Sequence, residues 1–154
     1  MSRRILTGIT TTGIPHIGNY FGAIKPALQL SCEKNVSSYF FLADLHAIIK
    51  QTNPNEIKVS VNEVALAWLS SGLDPEESFF YRQSNIPEIT ELAWILSCVT
   101  AKGLIKRSHA YKAAVQLNHD HTKDEETGIS MGLFSYPVLR AADSLMFNSS
   151  HVPV

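Results

Sequence analysis

The chain has 154 residues, 45% hydrophobic and 18% charged, a size and balance that bury roughly 70% of the unfolded surface and need no disulfide or metal to hold one globular core. Thirteen Lys and Arg against fourteen Asp and Glu leave a net charge of -1. That excludes an overall field for phosphate backbone or anionic lipid, so any nucleic-acid contact must be a local patch.

The start, Met1-Ser2-Arg3-Arg4-Ile5-Leu6, is basic, but its apolar run stops after two positions, and no stretch approaches the roughly 18 apolar residues of a membrane helix. No secretory leader or membrane span is expected, the sequons at Asn35 and Asn148 read as chance matches, and the expected location is cytoplasmic. Cys32 and Cys98 sit inside apolar helical patterns and are expected to be reduced core residues.

Four short apolar runs, Arg4 to Leu6, Tyr39 to Ala43, Phe79 to Arg82 and Val152 to Val154, alternate with longer helical patterns. Continuous hydrophobicity suits strands covered on both faces, and the spacing suits βαβ units, so the predicted fold class is α/β with a parallel sheet. Between the second and third runs, Asn53 caps a predicted helix, Pro54 takes its first turn and Gly72 stops it. Asp74-Pro75-Glu76-Glu77 has the spacing of a second cap, with Glu77 closing a capping box. From Glu88 to Val99 the pattern is apolar nearly all round, which predicts a helix buried on two sides, in a larger body or against a second subunit. Asn118 to Thr127 reads as a flexible excursion, and Ile129 to Phe147 as a loop followed by an apolar helix. His119-Asp120-His121 lacks a nearby third ligand, so no metal site is expected there.

The chemistry concentrates between Leu6 and Gly22. This segment follows the first strand and opens the first helix. Gly8, Gly13, Gly18 and Gly22 let backbone approach a ligand, Thr10, Thr11 and Thr12 add hydroxyls, and the helix start adds unpaired amides. Together they describe an anion cradle. It is neither a Walker loop, because Ile14-Pro15 follows the second glycine, nor a dinucleotide fingerprint, because no glycine pair has a one-residue gap. Two donor side chains, His16 and Asn19, flank Gly18; a polar turn that merely caps a helix is the alternative reading.

His16-Ile17-Gly18-Asn19 resembles the first signature of class I aminoacyl-tRNA synthetases, His-Ile-Gly-His, and within that class the tryptophanyl-tRNA synthetase family. The resemblance continues through Gly22-Ala23, Asp44-Leu45-His46-Ala47, Gly72-Leu73-Asp74-Pro75, Gln83-Ser84, Gly132-Leu133-Phe134, Tyr136-Pro137, Ala141-Ala142-Asp143 and Val152-Pro153-Val154. It implies a Rossmann-like doubly wound parallel sheet with a helical insertion. Residues 1–84 would be the nucleotide-binding βαβ half, and about 85–147 the helical, dimer-forming segment.

The resemblance also implies a tryptophan–tRNA ligase that takes ATP, with Mg2+ on the nucleotide, L-tryptophan and tRNA-Trp, and that forms a homodimer. It gives His16 and Asn19 the catalytic phosphate contacts and puts Thr10, Thr11, Thr12, Gly18 and Lys112 with them around ATP. Asp143, Tyr136 and His46 would bind tryptophan, Asp143 through the indole N–H.

Several positions depart from that family. Thr11 replaces its usual proline, which implies a less rigid loop, and Arg140 and Ser144 stand where Met and Ile are common. Arg140 either pairs with Asp143 and competes for it, or directs its charge outward and leaves the pocket intact. Lys112 belongs to a basic stretch with Lys102, Lys106, Arg107 and His109, for which a solvated helix face is the alternative. The family's second signature, Lys-Met-Ser-Lys-Ser, does not occur, so the sequence is expected to be an amino-terminal fragment, inactive alone or nearly so. Two rival readings stay open: a small nucleotidyltransferase with a similar cradle, and a non-catalytic dimerising or regulatory module descended from a synthetase.

Overall fold

Three parallel strands in the order β1-β2-β3 form the sheet: β1 (Arg3–Thr10), β2 (Val36–Ala43) and β3 (Phe79–Arg82). The computed structural model describes residues 3–153. β1 and β2 run longer than their apolar runs, pairing in register from Arg3 with Val36 to Thr10 with Ala43, and β3 joins from Tyr39 with Phe79 to Leu42 with Arg82.

The crossover from β1 to β2 is one helical path with an irregular middle. A single turn α1 (Ile17–Asn19) widens into a π-helical turn over Tyr20–Ile24 before α2 (Lys25–Ser31). After β2 come a short α3 (Asp44–Ala47) and the long α4 (Pro54–Ser70). Asn53 caps α4 by accepting the Asn55 amide at 3.0 Å, and Gly72, at φ +100, takes the left-handed conformation that ends it.

α2 and α4 cover one sheet face. There Ile9, Phe40 and Leu42 meet Ile24, Ala27, Val61, Val64 and Trp68. Trp68 is fully buried, stacks on Phe40 at 4.8 Å between ring centroids, and leaves its indole N–H without a partner. On the other face Leu6, Phe41 and Ala43 pack with Tyr39, Tyr81 and Phe147.

The remaining helices are α5 (Pro87–Val99), α6 (Lys102–Ile105), α7 (His109–Asp120) and α8 (Met131–Met146). The chain divides into two compact units, one of Met1–Pro87 with Ser144–Val154 and one of Glu88–Asp143. Within the second, Ile89 is fully buried and Tyr111 meets Phe134 edge-on at 5.3 Å, whereas Trp94, Ile95 and Val99 on α5 are exposed.

Four expectations need correction. Both cysteines are free and exposed: Cys32 sits just past the end of α2 with its Sγ donating to the Leu28 carbonyl at 3.3 Å, and Cys98 shares the uncovered side of α5. Asp74 caps no helix; its side chain accepts the Glu76 amide at 2.9 Å in a local turn, which satisfies the same hydrogen bond without a helix behind it. The excursion from Asn118 is held rather than loose. Asn118 is buried in the last turn of α7, and its Nδ2 donates to the carbonyls of Glu125 and Thr127, each at 2.9 Å. Finally, Val152 and Pro153 are not in a strand, and Val154 lies outside the described residues; only His151 bridges to Ile5. The residues of the two sequons, Asn35 and Asn148, both take positive φ, a conformation asparagine tolerates in turns. Among the described residues no helix is long and apolar enough to cross a membrane.

Candidate active site

The Thr10–Asn19 segment leaves the carboxyl end of β1 and turns into the helical crossover. Thr12 N–H donates to the Thr10 carbonyl at 3.1 Å, and Gly13, at φ +148, takes a backbone conformation that a side chain would strain. His16 is the N-cap of α1 in an extended conformation. Its Nδ1 accepts the Gly18 amide at 3.1 Å, and its own amide donates to Asn19 Oδ1 at 2.9 Å. This reciprocal capping assigns the tautomer. With Nδ1 accepting, a neutral imidazole carries its proton on Nε2; with Oδ1 occupied, Asn19 retains its NH2 group. Both side chains are thus left with donors on an exposed turn at the positive end of a helical segment.

Gly18 has a requirement beyond room for a nucleotide: a Cβ there would lie 2.9 Å from Cε1 and Nδ1 of His16. A second glycine, Gly8 in β1, lies under the Phe41 ring, whose atoms would be 2.3 to 2.7 Å from an added Cβ.

The three threonines separate. Thr10 and Thr12 are exposed, but Thr11 is fully buried with its hydroxyl unpartnered. A buried hydroxyl without a partner costs about 1–3 kcal/mol. Thr11→Val should therefore stabilise the fold by about 1 kcal/mol, read from the urea midpoint at unchanged slope; a loss of stability would mean that the hydroxyl is satisfied. Beside this loop, Thr12, Gly13 and Ile14 face Gln51, Asn55, Glu56, Val59 and Ser60 across a cleft of about 310 Å³. Glu56 is fixed there by hydrogen bonds from Gln51 and Asn53.

His46 is half-buried in α3, at the carboxyl end of the neighbouring strand β2. Sequence reasoning assigned no role to the polar cluster that starts this turn. Asp44, 3% exposed, accepts Arg82 Nε at 2.5 Å and the Ser84 amide at 3.0 Å, and fully buried Gln83 accepts the Leu45 amide on Oε1 at 3.2 Å. The one signal in the sequence was an aspartate closing an apolar strand.

The remaining candidates lie in the Glu88–Asp143 unit. Asp143 is 1% exposed on α8, and Tyr136, two helical turns earlier, is half-buried. Arg140 is exposed on the same helix. Lys112 is exposed on α7. Its neighbour Lys106 lies 5.8 Å from the centroid of the Tyr111 ring and 3.7 Å from Glu126. Tyr111, then Glu126 and Glu125, hold the Lys106 ammonium above the usual lysine range. The described residues contain no group of three or more His, Cys, Asp or Glu able to hold a metal ion.

A parallel α/β sheet with a His-Ile-Gly-Asn turn at the carboxyl end of its first strand belongs to a defined class. The profile of tRNA synthetases class I (W and Y) matches residues 2–154, and the chain belongs to that family. Within it, the chain is 59% identical over 154 residues to a tryptophan–tRNA ligase of Pseudomonas putida, covering 100% of this chain and 34% of the relative. Among solved structures it is similar to the tryptophanyl-tRNA synthetase of Campylobacter jejuni, with a TM-score of 0.85 and 40% identity over 100% of this chain and 45% of that one. The structure of the C. jejuni enzyme complexed with ADP and tryptophan gives a TM-score of 0.83 and 41% identity over 98% and 44%. The chain spans about a third of the length of the curated relatives it matches.

Proposed function

We propose that these residues form the ATP-binding half-site, and part of the amino-acid site, of a cytoplasmic tryptophan–tRNA ligase. The observation that carries the reading is the capped turn in which His16 and Asn19 use one polar atom each on the backbone and keep N–H donors for phosphate oxygens. In the reaction, a carboxylate oxygen of L-tryptophan attacks the α-phosphorus of ATP, the bond to the bridging oxygen of the β-phosphate breaks, and pyrophosphate leaves. A ribose hydroxyl of tRNA-Trp then attacks the adenylate carbonyl and releases AMP. Such a step needs fixed donors where charge builds on phosphate more than it needs an acid or base.

Thr10 and Thr12 extend the cradle beside Gly18, with Thr11 turned inward as its anchor. Lys112 is the candidate cation for the nucleotide. Mg2+ arrives with the triphosphate in this reading. The exposed Trp94, Ile95 and Val99 of α5 are the face given to a homodimer in this reading.

Asp143, Tyr136 and His46 form the amino-acid set in this reading. An ionised carboxylate accepts only and an indole nitrogen donates only, so a buried Asp143 favours tryptophan over phenylalanine, which offers it no donor. The test is tryptophan-dependent exchange of pyrophosphate into ATP by the polypeptide as its gene encodes it, whether or not that continues past Val154. Exchange should require tryptophan and fall at least about 100-fold in Asp143→Ala. Absence of tryptophan-dependent exchange in the unsubstituted protein would reject the reading. Tight dimerisation without stabilisation by ATP would favour a non-catalytic module instead.

A further inference from the structure

The polar cluster at the ends of β2 and β3 has a geometry that packing alone does not require. The last ladder pair between these strands is Leu42 with Arg82. Beyond it the two chains part, one into α3 and the other into a 3-10 turn over Gln83–Asn85. Across the gap the side chains exchange places. Asp44 of the first chain holds the backbone of the second at the Ser84 amide, and Gln83 of the second holds the backbone of the first at the Leu45 amide. The Asp44 oxygens are divided, Oδ1 to Ser84 and Oδ2 to Arg82 Nε.

A carboxylate that is 3% exposed and an amide that is fully buried are costly to desolvate, and their cost is offset only when each bond is made in one arrangement. Such a cluster specifies position more than it adds stability. What it positions is α3, a helix of four residues that begins at Asp44 and carries His46. A single turn has no stability of its own, so its place comes from this lock and from Ala47, which is fully buried. The nucleotide cradle, by contrast, is fixed by contacts among His16, Gly18 and Asn19 that do not involve the lock.

We propose that Asp44, Arg82 and Gln83 are positioning residues for His46, so that binding of tryptophan depends on the Asp44–Arg82 pair while binding of ATP does not. This rests on the reading of His46 as an amino-acid contact. Asp44→Asn keeps the shape and the Ser84 bond but removes the charge that orients the guanidinium. Arg82→Met removes the other partner.

Tryptophan and a non-hydrolysable ATP analogue are titrated separately into the polypeptide as its gene encodes it, with thermal unfolding recorded on each variant. Each single variant should weaken tryptophan about tenfold, leave the analogue within about twofold, and the double variant should be no weaker than either single one, the mark of one shared interaction. If Asp44→Asn does not fold, Arg82→Lys, which keeps the charge but not the Nε donor, is read by the same two titrations. Equal weakening of both ligands, or unchanged tryptophan binding in a folded variant, overturns the lock's role and leaves the reading of the function standing. Failure of the unsubstituted protein to bind tryptophan overturns that reading, and the lock's role with it.

Discussion

Gly18→Ala should reduce tryptophan-dependent ATP–pyrophosphate exchange about 100-fold, as much as His16→Ala, although the new methyl group touches no substrate in the proposed mechanism. An added Cβ would lie 2.9 Å from two ring atoms of His16, closer than carbon and nitrogen can approach, and the imidazole is the group free to move. Movement breaks the bond from the Gly18 amide to Nδ1, and with it the restriction of the proton to Nε2. The donor is then misplaced and its tautomer unspecified. Because Gly18 is exposed and its own φ is not in the left-handed region, the substitution should barely change thermal stability. Steady-state exchange and a melting curve on the same preparation check both halves. Full activity in Gly18→Ala would show that the position of the imidazole is immaterial.

Trp68→Ala should cost about 3–5 kcal/mol, a large part of the total stability of a domain this size, and leave the protein unfolded or nearly so at 37 °C. Trp68 is completely enclosed, stacked on Phe40 and 6.4 Å from Phe80, and so joins α4 to the central and edge strands. Trp68→Phe isolates a second contribution. It loses volume but also removes a buried N–H that has no acceptor, so it should cost clearly less than the cavity it leaves would suggest. Urea unfolding of each variant against the parent measures both costs; a loss in Trp68→Phe as large as its residual cavity alone predicts, about 24 cal/mol per Å³, would mean that the indole N–H contributes nothing.

Local signals carried most of the fold. Three continuous apolar runs became the three parallel strands, and Asn53, Pro54 and Gly72 bounded α4 because caps and stops act on residues within a few positions of one another. The turn from Thr10 to Asn19 was legible for the same reason, its capping bonds spanning two or three residues. Where the reading failed, the deciding partner was distant or ambiguous. Apolar periodicity placed Cys98 on a helix correctly and Cys32 one residue past the end of one, but could not say which helix face another element covers. Asp74 has the same spacing in a turn as at a cap. The contacts of Asp44 lie 38 and 40 residues away, so nothing near it in sequence announced them.

The outer edge of β1 is covered by a segment distant in sequence: Leu6 N–H donates to the His151 carbonyl at 2.9 Å, and the Arg4 amide to Ser150 Oγ, 146 residues away. A ribosome adding roughly 5–20 residues per second leaves that edge without its cover for on the order of ten seconds. During synthesis β1 is made well before the segment that covers its edge. The nascent chain must therefore keep an open row of amides from pairing with a neighbour during that interval.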